Sequence, residues 1–184
     1  MSMPSAPSRS HYSAPAKFLH WLMALMLFGL LGLGFYMQGL SLSPQKLQLY
    51  SWHKWAGVTV FLLAVVRLAW RAGHTPPALP AHMNTLERLG ARLGHFALYV
   101  LMFAIPLSGW LMSSAKGIQT VWFGVLPLPD LLEKNKEIGN ALQTLHAVLN
   151  LTLIAVLLAH VAGALKHHWF DKDDVLTRML PRRA

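Results

Sequence analysis

Four stretches of the chain are apolar for long enough to cross a membrane, and the segments between them are short. About 20 apolar residues suffice to carry a helix through the hydrocarbon core. The first stretch covers about 18–38, with no charged residue between Lys17 and Lys46. Gly29, Gly32 and Gly34 lie in its second half, where small residues let helices approach closely. The second covers about 48–71, but its strictly uncharged centre, 55–66, is only 12 residues long. Lys54 and Arg67 must therefore snorkel or find partners. The third covers about 93–112 and contains Pro106, which predicts a kink. The fourth covers about 138–165; Asp130 and Glu133, following Pro129, predict a capping-box variant that starts a helix leading into it.

The connecting segments follow from their turn chemistry. Residues 1–16 are small, polar and proline-containing and predict a disordered cytoplasmic lead, which leaves 17–184 as one four-span domain. A signal peptide is the alternative, because Arg9 and Lys17 precede an apolar run, but that run is span-length and lacks a small-x-small cleavage pattern. HTPPALPAHMN, 74–84, holds Pro76, Pro77 and Pro80 and predicts an extended connector. Trp122 and Phe123, in the loop after the third span, favour a membrane interface and predict a cap over one end of the bundle.

Composition narrows the class to an all-α integral membrane four-helix bundle. Of 184 residues, 54% are hydrophobic and 12% charged, against about 25% charged in soluble domains. There is no cysteine, which excludes disulfides, zinc–thiolate sites and iron–sulfur clusters as intrinsic features. The net charge of +9 would suggest nucleic acid in a soluble chain, but here the basic residues flank the spans, so no nucleic-acid partner is expected. With the termini on one side, that side holds eleven Lys and Arg and the other holds five: Lys46, Lys54, Lys116, Lys134 and Lys136. The positive-inside bias then puts both termini in the cytoplasm.

Candidate chemistry lies with the histidines. His146 and His160 stand fourteen residues apart in one charge-free run, a rise of about 21 Å along a helix. At the 3.5 residues per turn of a left-handed bundle both rings point the same way, at opposite depths. With the topology above, His20 shares the inner depth of His160, and His53 shares the outer depth of His146. Two histidines facing across a bundle can fill both axial positions of a haem iron. The candidate iron ligands are therefore His20 with His160 and His53 with His146, for two b-type haems. A lone membrane histidine is more often a hydrogen-bonded core residue; four that match in depth favour ligation. Zinc or copper fits less well, since neither depth offers a cysteine or carboxylate to complete a site.

The other candidates carry open alternatives. Arg67, fourteen residues beyond His53, reads as a partner for a haem propionate or as an ordinary positive residue at the inner boundary. His95 reads as a third inner ligand, a propionate contact or a structural residue. His167, one heptad beyond His160, reads as a quinone contact or an interfacial residue beside Trp169, while His168 points elsewhere. His11, His74 and His82 read as solvated loop residues. Lys46, Lys54, Lys116 and Lys134 would draw a small anion to the outer face, or simply anchor it.

FLHW in the first span, SWHKWAG in the second, GHFALYVLMFAIPLSGW in the third, the His146 to His160 spacing and the tail HHWFDKDDVLTRMLPRR together carry a resemblance. Over about 16–183 the chain resembles the bacterial four-span di-haem cytochrome b561 family, whose studied type is a superoxide oxidase that reduces ubiquinone. The six-span ascorbate-linked namesakes are not the match. The resemblance implies an oxidoreductase of the bacterial inner membrane with two haem b groups, the ligands His20, His53, His146 and His160 in the same pairs, superoxide as donor and ubiquinone as acceptor. Bis-histidine iron has no free position, so the donor would react at a haem edge. The alternatives are a haem-bearing membrane anchor that passes electrons between a dehydrogenase partner and quinone, and a non-redox transporter or scaffold.

Overall fold

The computed structural model describes residues 11–180. The chain forms four long helices, α1 (Ala14–Gln38), α2 (Pro44–Gly73), α3 (Thr85–Ala115) and α4 (Lys136–Trp169). Between α3 and α4 lies a small antiparallel hairpin, β1 (Val121–Trp122) with β2 (Leu126–Pro127), and a 3-10 turn, Thr177–Met179, follows α4. Arg9, Arg182, Arg183 and the first ten residues of the predicted lead lie outside the described residues.

All four helices extend beyond their apolar centres, and side-chain caps set the starts of α2, α3 and α4. Pro15 sits in the first turn of α1 and Pro44 opens α2, positions where the missing N–H costs nothing. Ser43 caps α2 by accepting the Lys46 N–H. Asn84 caps α3 in a full capping box: its Oδ1 accepts the Glu87 N–H at 2.9 Å, and Glu87 Oε2 accepts the Asn84 N–H at 3.0 Å. The start of α4 corrects the sequence expectation. Asp130 and Glu133 lie in irregular chain, and the N-cap is Asn135, whose Oδ1 accepts from the N–H groups of Glu137 and Ile138. The Asn135 N–H donates to Ala115 O at 2.8 Å, so the segment is tied to the end of α3 before a helix can begin. Pro106 stays inside a continuous α3, where it leaves the Met102 carbonyl without its helical donor.

Antiparallel pairs α1–α2 and α3–α4 are joined along α2 and α3. Met23, Val60, Ala64 and Met102 form the buried cluster that joins α1, α2 and α3, with Leu27, Leu63 and Phe103 against it. Phe28, Phe35, Leu62, Val65, Phe96 and Leu158 instead point outward and exposed. All four helices are long and apolar enough to cross a membrane. In hydrocarbon this outward face is solvated by lipid, and the helical backbone satisfies its own hydrogen bonds.

Two ends can now be distinguished. At the hairpin end, Trp55 Nε1 on α2 donates to Val121 O at 2.6 Å, and Trp122 Nε1 donates back to Trp55 O at 3.2 Å. The hairpin is thereby held as a cap, with Phe123 and Gly124 at positive φ making its turn. At the terminal end the tail folds back on the bundle. Lys17 Nζ donates to Leu180 O at 2.7 Å, and Trp21 Nε1 to Met179 O at 2.9 Å. His74 and His11 are half-buried there rather than solvated: the His74 ring stacks on Trp70 at 3.9 Å, because His74 ends α2 four residues after it, with Nδ1 3.0 Å from Trp70 O.

Candidate functional site

Three imidazoles converge at the terminal end of the bundle. His20 lies in the second turn of α1, His95 in α3 and His160 near the end of α4. The His20 and His160 ring centroids are 6.2 Å apart, and those of His95 and His160 5.4 Å. Arg67 reaches the same level from α2, where its Nη1 donates to His20 Nδ1 at 3.2 Å and its Nε to the Tyr99 hydroxyl at 3.2 Å. The guanidiniums of Arg67 and Arg71 lie 5.9 and 5.7 Å from the centre of the Tyr99 ring. Neither arginine forms an ion pair with a carboxylate among the described residues. Both line a cleft with Trp70, His74 and Tyr99.

A second level lies toward the hairpin end, where His53 of α2 and His146 of α4 are neighbours. His146 Nδ1 is 3.1 Å from Ile105 O and 3.0 Å from Ser108 Oγ, and Ser108 Oγ itself donates to Ile105 O at 2.8 Å. These acceptors place the proton on Nδ1 and leave the Nε2 lone pair free, the arrangement by which metal-binding histidines are oriented. A glycine faces each ring, and the one beside His146 makes room for it. A Cβ on Gly109 would stand 3.1 Å from His146 Cε1, and one on Gly34 would stand 3.6 Å from His53 Cε1. His53 Nδ1 is buried without a hydrogen-bond partner among the described residues.

These residues fit a bis-imidazole metal centre better than a tetrahedral one. Metal–nitrogen bonds of about 2 Å on either side of one ion would set the two ring centroids about 6 Å apart. The 6.2 Å between His20 and His160 meets that spacing. Among the described residues neither level gathers three His, Cys, Asp or Glu donors tightly enough for a small-ion site. Ile105, Ser108, Gly109 and Tyr99 were not singled out from the sequence. The SG pair after Pro106 was the available signal, but it acquires meaning only when α4 is laid against α3.

The remaining candidates are placed elsewhere. At the hairpin end, Lys54 Nζ donates to Ser113 Oγ at 3.3 Å and Gln119 O at 3.2 Å, and Lys46 Nζ donates to Leu40 O. Lys116 Nζ donates to Gln143 Oε1, and the Lys134 side chain packs over Gly117. Lys46 and Lys54 thus bond backbone and side-chain oxygens of the loops and helix ends at that end. His167 does not join the imidazoles of the terminal level: it is buried with Nδ1 2.7 Å from Asp173 Oδ2 and 3.0 Å from Asp171 Oδ2. His82 lies exposed in the connector, with Nε2 3.2 Å from Asp173 Oδ2.

Comparison with known proteins bears on this arrangement. The family described as prokaryotic cytochrome b561 matches residues 11–182. Cytochrome b561 homolog 2 of Escherichia coli (strain K12) is 35% identical over 191 aligned residues, covering 100% of this chain and 97% of the relative. Cytochrome b561 homolog 1 of the same organism is 29% identical over 181 residues, 95% of this chain and 99% of the relative. A protein named probable superoxide oxidase CybB, from Yersinia pestis, is 28% identical over 132 residues, 71% of this chain and 74% of the relative. Four membrane-length helices and a family match along nearly the whole chain lead to one conclusion: the chain belongs to the prokaryotic cytochrome b561 family, bacterial membrane electron-transfer proteins that bind b-type haem.

Proposed function

We propose that this chain is a two-haem membrane cytochrome that takes electrons from superoxide on the periplasmic side and delivers them to membrane ubiquinone. The observation that carries the reading is the presence of two imidazole levels at opposite depths, with His20 and His160 6.2 Å apart at one. His20 with His160 would hold one haem iron, and His53 with His146 the other. Bound haem b would supply a one-electron centre. Ile105 and Ser108 keep the His146 proton on Nδ1, and Gly109 leaves the space its ring needs. Arg67 and Arg71, lacking carboxylate partners among the described residues, offer positive charge to propionates at the terminal end, with His95 as a further contact. His167 is taken up by Asp171 and Asp173 and is left out of the quinone contacts.

The orientation in this reading rests on the excess of Lys and Arg at the terminal end, which places both termini in the cytoplasm. The hairpin end then faces the periplasm, where Lys46, Lys54, Lys116 and Lys134 raise the local concentration of a small anion. Superoxide as the donor is supported by the name of the Yersinia relative. The test uses the purified holoprotein alone in detergent, with enzymatically generated superoxide and a short-chain ubiquinone. Ubiquinol should form, and superoxide dismutase should abolish its formation. Quinone reduction only after a dehydrogenase is added would instead make the chain a membrane anchor for such a partner.

A further inference from the structure

The tail following α4 gathers four metal-ligating side chains outside the imidazole levels. His82 comes from the connector before α3, His167 from the last turn of α4, and Asp171 and Asp173 from the turn that follows. One donor atom from each lies within 4.8 Å of all the others. The close pairs are His167 Nδ1 to Asp173 Oδ2 at 2.7 Å, His167 Nδ1 to Asp171 Oδ2 at 3.0 Å, and His82 Nε2 to Asp173 Oδ2 at 3.2 Å. A tetrahedral ion with bonds of about 2.0–2.1 Å has donor–donor edges of about 3.3 Å, so the closest contact would widen by roughly half an ångström while the wider separations, within 4.8 Å, would close around the ion.

Charge and access favour a cation as well. Asp171, Asp173 and Glu87 share one ammonium, that of Lys166, which bonds Glu87 and Asp171. Three carboxylates stand against that one ammonium. They stand beside the C-terminal end of α4, whose own dipole is negative there. Asp173 Oδ1 accepts the Val175 N–H at 3.0 Å, which leaves Oδ2 facing both imidazoles. The His167 and Asp173 side chains are each only 9% exposed, whereas His82 is 55% exposed and leaves an open side for entry.

We propose that His82, His167, Asp171 and Asp173 form a binding site for a divalent cation of zinc type, which ties the tail and the connector to the end of α4. Two imidazoles with two carboxylates make a donor set suited to zinc rather than to magnesium or calcium, which take oxygen ligands. The site stands apart from the imidazole levels and does not depend on the electron donor or acceptor.

The test uses full-length holoprotein without a histidine tag, stripped with chelator and dialysed against buffered zinc, with metal content read by elemental analysis. Wild type should retain one zinc per chain, and Asp173→Asn and His82→Ala should each bind zinc at least tenfold more weakly while keeping the wild-type haem spectrum. His82→Ala leaves the His167–Asp173 contact in place, so it decides the matter if Asp173→Asn fails to fold. Wild type that holds no zinc after dialysis, or a folded His82→Ala variant that binds it as wild type does, would overturn the assignment.

Discussion

Where a glycine stands can decide where a ligand ring may lie. A Cβ at position 109 would sit 3.1 Å from His146 Cε1, so alanine requires the ring to give by a few tenths of an ångström and any longer side chain drives it out of place. The ring cannot yield freely, because its Nδ1 is held at Ile105 O and Ser108 Oγ. Gly109→Val should therefore lower occupancy of the hairpin-end haem about tenfold while the terminal-end haem is retained, as read from reduced-minus-oxidised spectra and haem content. Full occupancy in that variant would show that the His146 ring is not confined by α3. The histidines themselves were legible, since a fourteen-residue interval puts two rings on one face of any bundled helix. Gly109 was not, because its partner lies on another helix.

At the scale of elements, apolar patterning located the four spans and short polar motifs set their limits. The NTLE pattern at 84–87 starts α3 well ahead of the apolar stretch that begins near 93. Asn84→Ala removes the acceptor for the Glu87 N–H and should cost about 1 kcal/mol at that helix end. Amide exchange over the first turn of α3 should then be several-fold faster with the rest of the helix unchanged. Unaltered exchange there would mean that contacts of the connector, not the cap, hold the turn. The mistaken start at Asp130 has the complementary cause. Local capping chemistry at 130–133 was sound, but the tie from Asn135 N–H to Ala115 O is tertiary and overrides it. The Trp122 and Phe123 cap was readable from interfacial preference, whereas the hydrogen bonds of Trp55 that seat it required the fold.

The whole molecule has two chemically different ends. One carries the hairpin, five lysines and the His53–His146 level; the other carries the start of α1, the end of α4, Arg67, Arg71 and the His20, His95 and His160 rings. Helix direction alone was enough to sort the histidines by depth. It could not show that His95 approaches His160 more closely than His20 does, nor that His82 and His167 meet at two tail carboxylates, since both depend on which helices are neighbours. The proposed pairing follows from ligation requiring rings on opposite sides of one iron, and His20 and His160 have the spacing for it. The most direct test is haem quantification with reduced-minus-oxidised spectra on wild type and on His20→Ala, His53→Ala, His146→Ala and His160→Ala. Two haems per wild-type chain are expected, with His20→Ala and His160→Ala losing the same one and His53→Ala and His146→Ala losing the other. Two intact haems in His146→Ala, or a single haem in wild type, would contradict the account.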